Sequence, residues 1–124
     1  MRTRGLLGLL LLCSATSSFA QPQTRSITAA EAKNHVGEKA TVCGNVVSTR
    51  YSARTKGSPT FLNLDEPYSR QIFTILIWGS DRQKFGEPEA KYENKKVCVT
   101  GLIKDYRGVP EVVAEQPSQI EIQK

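Results

Sequence analysis

Five short runs of strand-forming residues, separated by turn sequences, constrain the fold of this chain most strongly. Each run is rich in the β-branched and aromatic side chains that fit a pleated surface. Gly44 and Gly101 stand inside the first and fourth runs, where a residue without Cβ allows a bulge or a sharp bend. The runs are Lys39–Ser48, Thr60–Leu64, Gln71–Trp78, Lys96–Ile103 and Pro110–Ala114. They predict an all-β domain, either a five-stranded Greek-key barrel or a sandwich of two sheets, which fits the strand count nearly as well.

Helix is predicted in only two short places. Thr28 and Glu31 have the spacing of a capping box, which predicts a short helix over 29–35. Between the third and fourth runs, glycine and proline limit the chain to at most one helical turn around 81–85. The residues at 119–122 alternate once more and could close against a sheet edge.

The first twenty residues have the pattern of a secretory signal peptide. Arg2 and Arg4 precede an apolar run over 6–13, and small residues lead to Ala20. The apolar run is too short to cross a bilayer as a helix. We therefore expect cleavage after Ala20, no membrane span in the remaining chain, and a periplasmic or secreted protein. The expected organisation is a signal peptide over 1–20, an extension with the short helix over 21–38, and one barrel domain over 39–124.

Export bears on the two cysteines that remain after cleavage, Cys43 and Cys98. Disulfides persist in oxidising compartments, and both cysteines lie in strand-like runs that could be neighbours. A bridge would close a long loop and contribute about 4 kcal/mol in the chain-entropy model. Two buried free thiols are the alternative.

Several basic residues cluster around predicted turns. Removal of the signal lowers the formal net charge from +5 to +3, which does not by itself demand nucleic acid. The segment after the first strand nevertheless combines Arg50, Tyr51, Arg54 and Lys56. Lys and Arg neutralise phosphates, and aromatic rings stack on unpaired bases, so this mixture favours an anionic, flat ligand. A solvated loop is the alternative.

The chain from Lys39 to Ile122 resembles the OB-fold, in particular the nucleic-acid-binding type found in anticodon-binding domains and in some exported bacterial proteins. The order and spacing of four segments carry the resemblance: VCGNVVS at 42–48, TFLNLDEPY at 60–68, IFTILIWGSDRQKF at 72–85 and VCVTGLIKDYRGVPEVV at 97–113. It implies a closed ring of strands in the order 1-2-3-5-4, returning to strand one. Cys43 and Cys98 would then lie on neighbouring strands, which favours a disulfide.

The resemblance also implies where a ligand binds. In this fold, ligands cross strands two and three between the loops that join strands one to two and four to five. These two loops contribute the candidate nucleic-acid-binding residues Arg50, Tyr51, Arg54, Lys56, Lys104, Tyr106 and Arg107.

Strand faces add further candidates. If the leucines of the second run point into the core, Phe61 becomes an exposed stacking platform and Asn63 a hydrogen-bonding neighbour. The third run is apolar on both faces, and we assign Phe73, Ile75 and Ile77 to the core because the opposite face carries a polar threonine in its middle. Trp78 then lies at the outer rim, although a core position at the following bend fits about as well.

No motif for catalysis, metal binding or a cofactor accompanies these residues. His35 is the single histidine, so no zinc-ligand spacing exists. Asp65, Glu66 and Asp81 fall in predicted turns, where carboxylates are commonly solvated, and no nucleophile motif or phosphate-binding glycine loop is present. A nuclease built on the same kind of barrel would need clustered carboxylates for calcium, for which the chain offers little room. We predict a non-catalytic protein without metal or cofactor.

Two classes of function remain. The first is an exported module that binds single-stranded nucleic acid with little sequence preference through stacking and phosphate contacts. The second is an envelope module that uses the same face for a protein or for an anionic oligosaccharide, since this fold serves several kinds of ligand.

Overall fold

β-Strands make up most of the regular structure in residues 25–124, which the computed structural model describes together with Gly5, Gly8 and Ser14. Apart from these three positions, the predicted signal peptide lies outside the described residues. The strands are β1 (Ser26–Thr28), β2 (Lys39–Tyr51), β3 (Thr60–Leu64), β4 (Thr74–Ile77), β5 (Lys96–Tyr106), β6 (Val109–Val113) and β7 (Ile120–Ile122). The helices are α1 (Gly79–Phe85), α2 (Pro88–Lys91) and the 3-10 helices Ala32–Asn34 and Pro117–Gln119.

Five of the strands form a closed ring in the order β2-β3-β4-β6-β5, because β5 pairs with β2 as well as with β6. Neighbours are antiparallel except β4 and β6, which are parallel. This order is the one that the resemblance to the OB-fold implies, so it is confirmed. The expected total of five strands is wrong, because β1 extends the sheet beside β2 and β7 extends it beside β5. Strands of three residues are too short to show an alternating pattern in the sequence.

The strand β2 changes the face it buries halfway along its length. Its register against β3 shifts at Val47, which is an extra residue between two paired positions. Before this β-bulge, the even-numbered Val42 and Val46 are fully buried. After it, the even-numbered Ser48 and Arg50 point to the outside of the ring, since one extra residue reverses the alternation of a strand.

Close packing disfavours a side chain at Gly101 and crowds one at Gly44. A Cβ at Gly101 would lie 2.6 Å from Cγ1 of Val112, and one at Gly44 would lie 3.0 Å from Oδ1 of Asp65. The bulge that the sequence places at Gly44 occurs three residues later, at Val47.

The core fills the interior of the ring. Phe73, Ile75 and Ile77 are fully buried, so the face assigned to the core is confirmed. The connection between β4 and β5 contributes Phe85 and Tyr92, which are 3% and 1% exposed. The core also contains Ala29, Ala32, Ala40, Val42, Val46, Leu62, Leu64, Val97, Val99, Ile103, Val112, Ala114 and Ile120.

The two helical predictions need correction. The predicted capping-box contacts between Thr28 and Glu31 are present. However, the residues that follow form only a three-residue 3-10 helix, because the backbone N–H of Gly37 bonds to the carbonyl of Ile103 at 2.7 Å and directs the chain into β2. Between β4 and β5, the seven-residue α1 and the four-residue α2 replace the single expected turn.

A disulfide joins β2 and β5, the pair of strands that closes the ring. Cys43 and Cys98 are paired residues of β2 and β5, with their Sγ atoms 2.04 Å apart. The bridge that the resemblance favours is therefore present. It links residues separated by 55 positions, so it closes a long loop in the unfolded chain.

We expect the double variant Cys43→Ala/Cys98→Ala to lower the free energy of unfolding by about 4 kcal/mol, because the unfolded chain regains its loop entropy. For a domain of this size the melting temperature would fall by roughly 15–30 °C. Thermal unfolding followed by circular dichroism measures the change. Dithiothreitol should lower the unfolding midpoint of the wild type to that of the variant and leave the variant unaffected. Two titratable thiols in the unreduced, unfolded wild type would contradict the disulfide.

Candidate functional site

A groove of about 600 Å³ crosses the outer face of the ring. Its floor is a row of residues in directly facing positions on neighbouring strands. The row runs from Ser48 on β2 through Asn63 on β3 and Thr74 on β4 to Glu111 on β6. The groove is lined by Ser48, Thr49, Arg50, Phe61, Asn63, Tyr68, Ser69, Gln71, Thr74, Tyr106, Arg107, Val109 and Glu111.

The side chains of the floor are largely engaged with one another. Asn63, 3% exposed, donates from Nδ2 to Oγ of Ser48 at 2.9 Å. Its Oδ1 accepts from Oγ1 of Thr74, which is 6% exposed, at 2.8 Å. Buried polar groups of this kind cost free energy unless they are paired. The floor is therefore a pre-formed polar surface in which Ser48, Asn63 and Thr74 are paired, and Glu111 adds a carboxylate at its β6 end.

One bank of the groove carries Arg50 and Phe61, which lie two residue pairs further along β2 and β3 than the floor. These two residues face each other in the strand register, and both line the groove. Arg50 is exposed and Phe61 half-buried. A guanidinium therefore lies next to an accessible aromatic ring.

The opposite bank has two parts. At the β2 end, the β3–β4 connection is held against β2 by a hydrogen bond from the backbone N–H of Tyr68 to Oγ of Ser48, at 3.2 Å. At the other end is the β5–β6 turn with Tyr106 and Arg107, whose guanidinium carbon lies 5.3 Å from the centre of the Tyr106 ring. Tyr68 and Tyr106 are 68% and 56% exposed, so the groove has an accessible tyrosine at each end.

Glu111 is the acidic residue of the groove lining. Partial burial raises the pKa of its carboxyl group above the ordinary value, and the facing Lys104 of β5 opposes this rise. Lys104 thus offsets only part of the effect of burial on the pKa of Glu111. The Glu111 carboxylate lies between the two arginines at the ends of the groove.

Five of the predicted site residues line this groove: Arg50, Phe61, Asn63, Tyr106 and Arg107. Their secondary structure differs from the prediction in two cases. Arg50 belongs to β2, and Tyr106 to β5, because both strands continue further than the sequence indicates. Asn63 is buried in the floor and supports Ser48 and Thr74.

Tyr51 does not share the groove with Arg50, contrary to the prediction. Consecutive residues of a strand point to opposite faces, and Tyr51 pairs with the fully buried Thr60. Its ring is covered by Arg82 of α1, whose guanidinium carbon lies 3.8 Å from the ring centre. Arg82 also forms an ion pair with Glu89, so this tyrosine serves an internal contact.

Three further predicted site residues, Arg54, Lys56 and Trp78, also lie apart from the groove lining. Trp78 packs on the loop backbone, since a Cβ at Gly57 would lie 2.8 Å from Cε3 of the indole. The backbone of Gly57 has a φ of +82°, which favours glycine at this contact. Trp78 is 40% exposed, so it is neither fully buried nor part of the groove.

Lys104 lines a second, smaller depression, although it stands next to Glu111 in the strand register. This depression, of about 280 Å³, is formed with Leu102, Val113, Glu115 and Gln119. The two predicted basic loops therefore share the groove only in part: Arg50 comes from the first, and Tyr106 and Arg107 come from the second.

Sequence reasoning missed Tyr68 and Glu111. Tyr68 lies in the β3–β4 connection, and the hydrogen bond from its backbone N–H to Ser48 holds it beside the groove. Glu111 alternates with the buried Pro110 and Val112 along β6, so the outward position of its side chain could have been found from the strand pattern.

Within residues 25–124, no helix is long and apolar enough to span a membrane. The described part of the chain also contains no group of three or more histidine, cysteine or acidic side chains that could hold a metal ion.

Comparison with known proteins gives likeness of structure. No protein-family model matches the chain, and no curated protein sequence matches it. A structure described as an aspartyl-tRNA synthetase from Leishmania major Friedlin aligns with a TM-score of 0.54 and 14% identity, over 86% of this chain and 22% of that one. The asparaginyl-tRNA synthetase from Pyrococcus horikoshii aligns with a TM-score of 0.52 and 22% identity, over 81% and 23%.

A third similar structure is the OBody AM1L10 bound to hen egg-white lysozyme, with a TM-score of 0.55 and 19% identity. It matches 83% of this chain and 96% of its own length, whereas this chain spans less than a quarter of either synthetase. At these identities the likeness defines the fold. Together with the strand order, it places the protein among chains with an OB-fold-like ring of five strands.

We expect Asn63→Ala to lower the free energy of unfolding by about 1–3 kcal/mol, because it leaves the hydroxyl of Thr74 buried without its acceptor. Urea denaturation measures the loss. Asn45→Ala is the matched control, since Asn45 is an exposed asparagine on the neighbouring strand β2, and it should change stability by less than about 0.5 kcal/mol. Equal effects of both substitutions would contradict a supporting role for Asn63.

We expect Glu111→Gln to stabilise the protein at neutral pH. Because burial raises the pKa of the Glu111 carboxyl, the folded protein binds this proton more tightly than the unfolded chain, and Glu111 destabilises the fold once pH rises through its folded pKa. The gain over wild type should vanish below the ordinary pKa of 4.5, where both forms are neutral. Urea denaturation across pH measures it, with the exposed Glu93→Gln as control; a gain independent of pH would refute the desolvation argument.

Proposed function

We propose that the protein is an exported, non-catalytic module that binds single-stranded nucleic acid in the outer groove, with little sequence preference. Single strands present unstacked bases and phosphates together, and proteins bind them by combining aromatic rings with basic side chains. The function rests on one observation, the presence of Tyr68, Phe61 and Tyr106 in one groove with Arg50 and Arg107.

The distribution of charge in the groove favours one orientation of the ligand. Arg50 and Arg107 are exposed near its two ends, where they can neutralise phosphates. Glu111 on the floor repels phosphates, so the sugar-phosphate chain would stay at the rim with its bases turned inward. The bases would then meet the three aromatic side chains.

Low sequence preference follows from the state of the floor. Sequence is read by hydrogen bonds to base edges. Here Ser48, Asn63 and Thr74 bond to one another, which leaves few donors and acceptors for that purpose. Stacking, which every base can provide, would supply most of the affinity.

Two further observations support the proposal. The tRNA synthetases among the similar structures are enzymes named for a nucleic acid substrate. The disulfide between Cys43 and Cys98 fits export, because disulfides persist in oxidising compartments. The proposal confines the site to the groove, so Tyr51, Arg54, Lys56, Trp78 and Lys104 contribute no direct contact.

A protein partner is the second candidate function. The OBody similar to this chain over 96% of its own length is bound to lysozyme, so a domain of this fold can hold a folded protein. Exposed tyrosines are also typical of protein-binding surfaces. An oligosaccharide has no comparable support.

We expect a labelled single-stranded oligonucleotide to bind the mature protein, and Phe61→Ala to weaken binding by roughly 1–3 kcal/mol through loss of one stacking platform. Two arginine–phosphate contacts predict that the logarithm of the association constant falls with the logarithm of salt concentration with a slope of about −1.4. Fluorescence anisotropy at several salt concentrations measures both quantities.

Ile122→Ala is the matched control for this experiment. Ile122 is an exposed apolar residue of β7 that pairs with Val97, at the end of β5 opposite to Tyr106, so binding should be unchanged. Absence of binding at low salt and high micromolar protein would exclude the nucleic-acid proposal and favour the protein partner. Binding that Phe61→Ala leaves intact would place the ligand elsewhere on the surface.

A further inference from the structure

We propose that the protein has a second binding surface, where the β2–β3 loop meets the start of α1, and that this surface docks on anionic phospholipid membranes. It consists of Tyr51, Arg54, Lys56 and Trp78, and we call it the loop surface. All four are predicted site residues that do not line the groove. The inference is therefore independent of the nucleic-acid function.

The β2–β3 loop carries positive charge without an acidic balance. From Arg50 to Leu64 the sequence has three basic residues and no acidic one. Within residues 25–124, neither Arg54 nor Lys56 takes part in an ion pair. Two residues of chain span at most about 7 Å, so these two charges lie close together. The loop surface is thus a compact positive patch that attracts anionic headgroups.

The acidic side chains of the adjoining helices do not neutralise this patch. Asp81 of α1 pairs with Lys84, whose Nζ lies 2.9 Å from Oδ1 of Asp81. Glu89 of α2 pairs with Arg82, the residue whose guanidinium covers the ring of Tyr51. The helix side of the loop surface is therefore balanced within itself, and the charges of the loop remain available.

Trp78 supplies the aromatic part of the loop surface. It is 40% exposed at the junction of β4 and α1, and the six-membered part of its ring rests on the backbone of Gly57 in the loop. The N–H of Gly79 bonds to the carbonyl of Gly57 at 2.8 Å, which fixes the junction to the loop. Tryptophan and tyrosine concentrate at membrane–water interfaces, because each combines an apolar ring with a polar atom. Trp78 beside two unpaired cations fits such an interface.

The loop has a fixed shape and stands out from the ring. Residues 53–57 are all exposed. The N–H of Ser52 bonds to the carbonyl of Pro59 at 2.9 Å, and Oγ of Ser58 donates to the carbonyl of Ala53 at 2.9 Å. An exposed surface of fixed shape meets a plane of lipid headgroups with little loss of conformational entropy. This shape favours a membrane over a ligand that has to be enclosed in a cleft.

The test uses the single tryptophan of the chain, which lies in the loop surface itself. The mature protein is mixed with vesicles of phosphatidylcholine alone, or of equimolar phosphatidylcholine and phosphatidylglycerol, and tryptophan emission is excited where tyrosine does not absorb. We expect only the anionic vesicles to shift the emission to shorter wavelength, and brominated anionic lipids to quench it, because the indole enters the interface. Added salt should reverse the shift, since it screens exposed charges.

Paired variants give a second readout. Arg54→Ala/Lys56→Ala should weaken cosedimentation with anionic vesicles about thirtyfold, since each basic residue near the bilayer contributes about fivefold. Lys95→Ala/Lys96→Ala is the matched control for two lost charges. Both lysines are exposed, and Lys96 pairs with Asn45, before the bulge of β2 and away from the loop, so binding should be nearly unchanged. Thermal unfolding verifies that each variant is folded.

The outcomes also separate this inference from the nucleic-acid function. An anionic shift that Arg54→Ala/Lys56→Ala removes supports the loop surface, whether or not an oligonucleotide binds. Unchanged emission with anionic vesicles, or equal losses in the two double variants, overturns it. An emission shift caused by an oligonucleotide and by no vesicle overturns it as well, and assigns the loop to nucleic acid. Phe61→Ala, in contrast, should weaken oligonucleotide binding and leave vesicle binding intact.

Discussion

The structure depends on one extra residue in β2, the strand that takes part in both halves of the ring. The first half of β2 pairs with β5, and the disulfide between Cys43 and Cys98 lies in that ladder. The second half pairs with β3 and forms one end of the groove. The bulge at Val47 separates the two halves and bends the strand, as bulges do. It also reverses the alternation, so that Arg50 faces outward while Val46 faces the core.

The floor and the rim of the outer groove consequently have different surroundings. Its floor lies against a sheet whose other face is the apolar core, and it is sheltered by the β3–β4 connection, which leaves Asn63 and Thr74 almost fully buried. Polar groups in that position need partners, and they find them in one another. The rim, in contrast, keeps its tyrosines and arginines accessible. A ligand therefore gains little by competing for the floor and more by covering the aromatic rings of the rim.

The order of the strands and the core face of β4 could be predicted from the sequence, because alternation, turn residues and the resemblance to a known ring of strands agreed. The composition of the site could be predicted only in part. Arg50 and Tyr51 are neighbours in a basic and aromatic segment, but β2 continues through both and sends them to opposite faces. β2 continues beyond its run of β-forming residues, because cross-strand bonds to β3 hold its last residues. Such an extension leaves no local signal in the sequence. The same holds for Tyr106, which belongs to β5 because it pairs with β6. Tyr68 depends on a bond to Ser48, a contact across 20 positions of the chain that no short-range pattern reveals.

The modest net charge of the chain is compatible with a polyanionic ligand because charge position matters more than the total. Within the groove lining, two arginines and one glutamate leave a net charge of only about one. The arginines lie toward the ends and the glutamate lies on the floor, so the field in the groove distinguishes between the two sides of a single strand. A uniformly basic groove would attract phosphates to its floor and leave the bases in solvent, where the tyrosines could not stack on them. The partly desolvated Glu111 disfavours that arrangement, and its cost to the fold accompanies the ligand orientation that we propose.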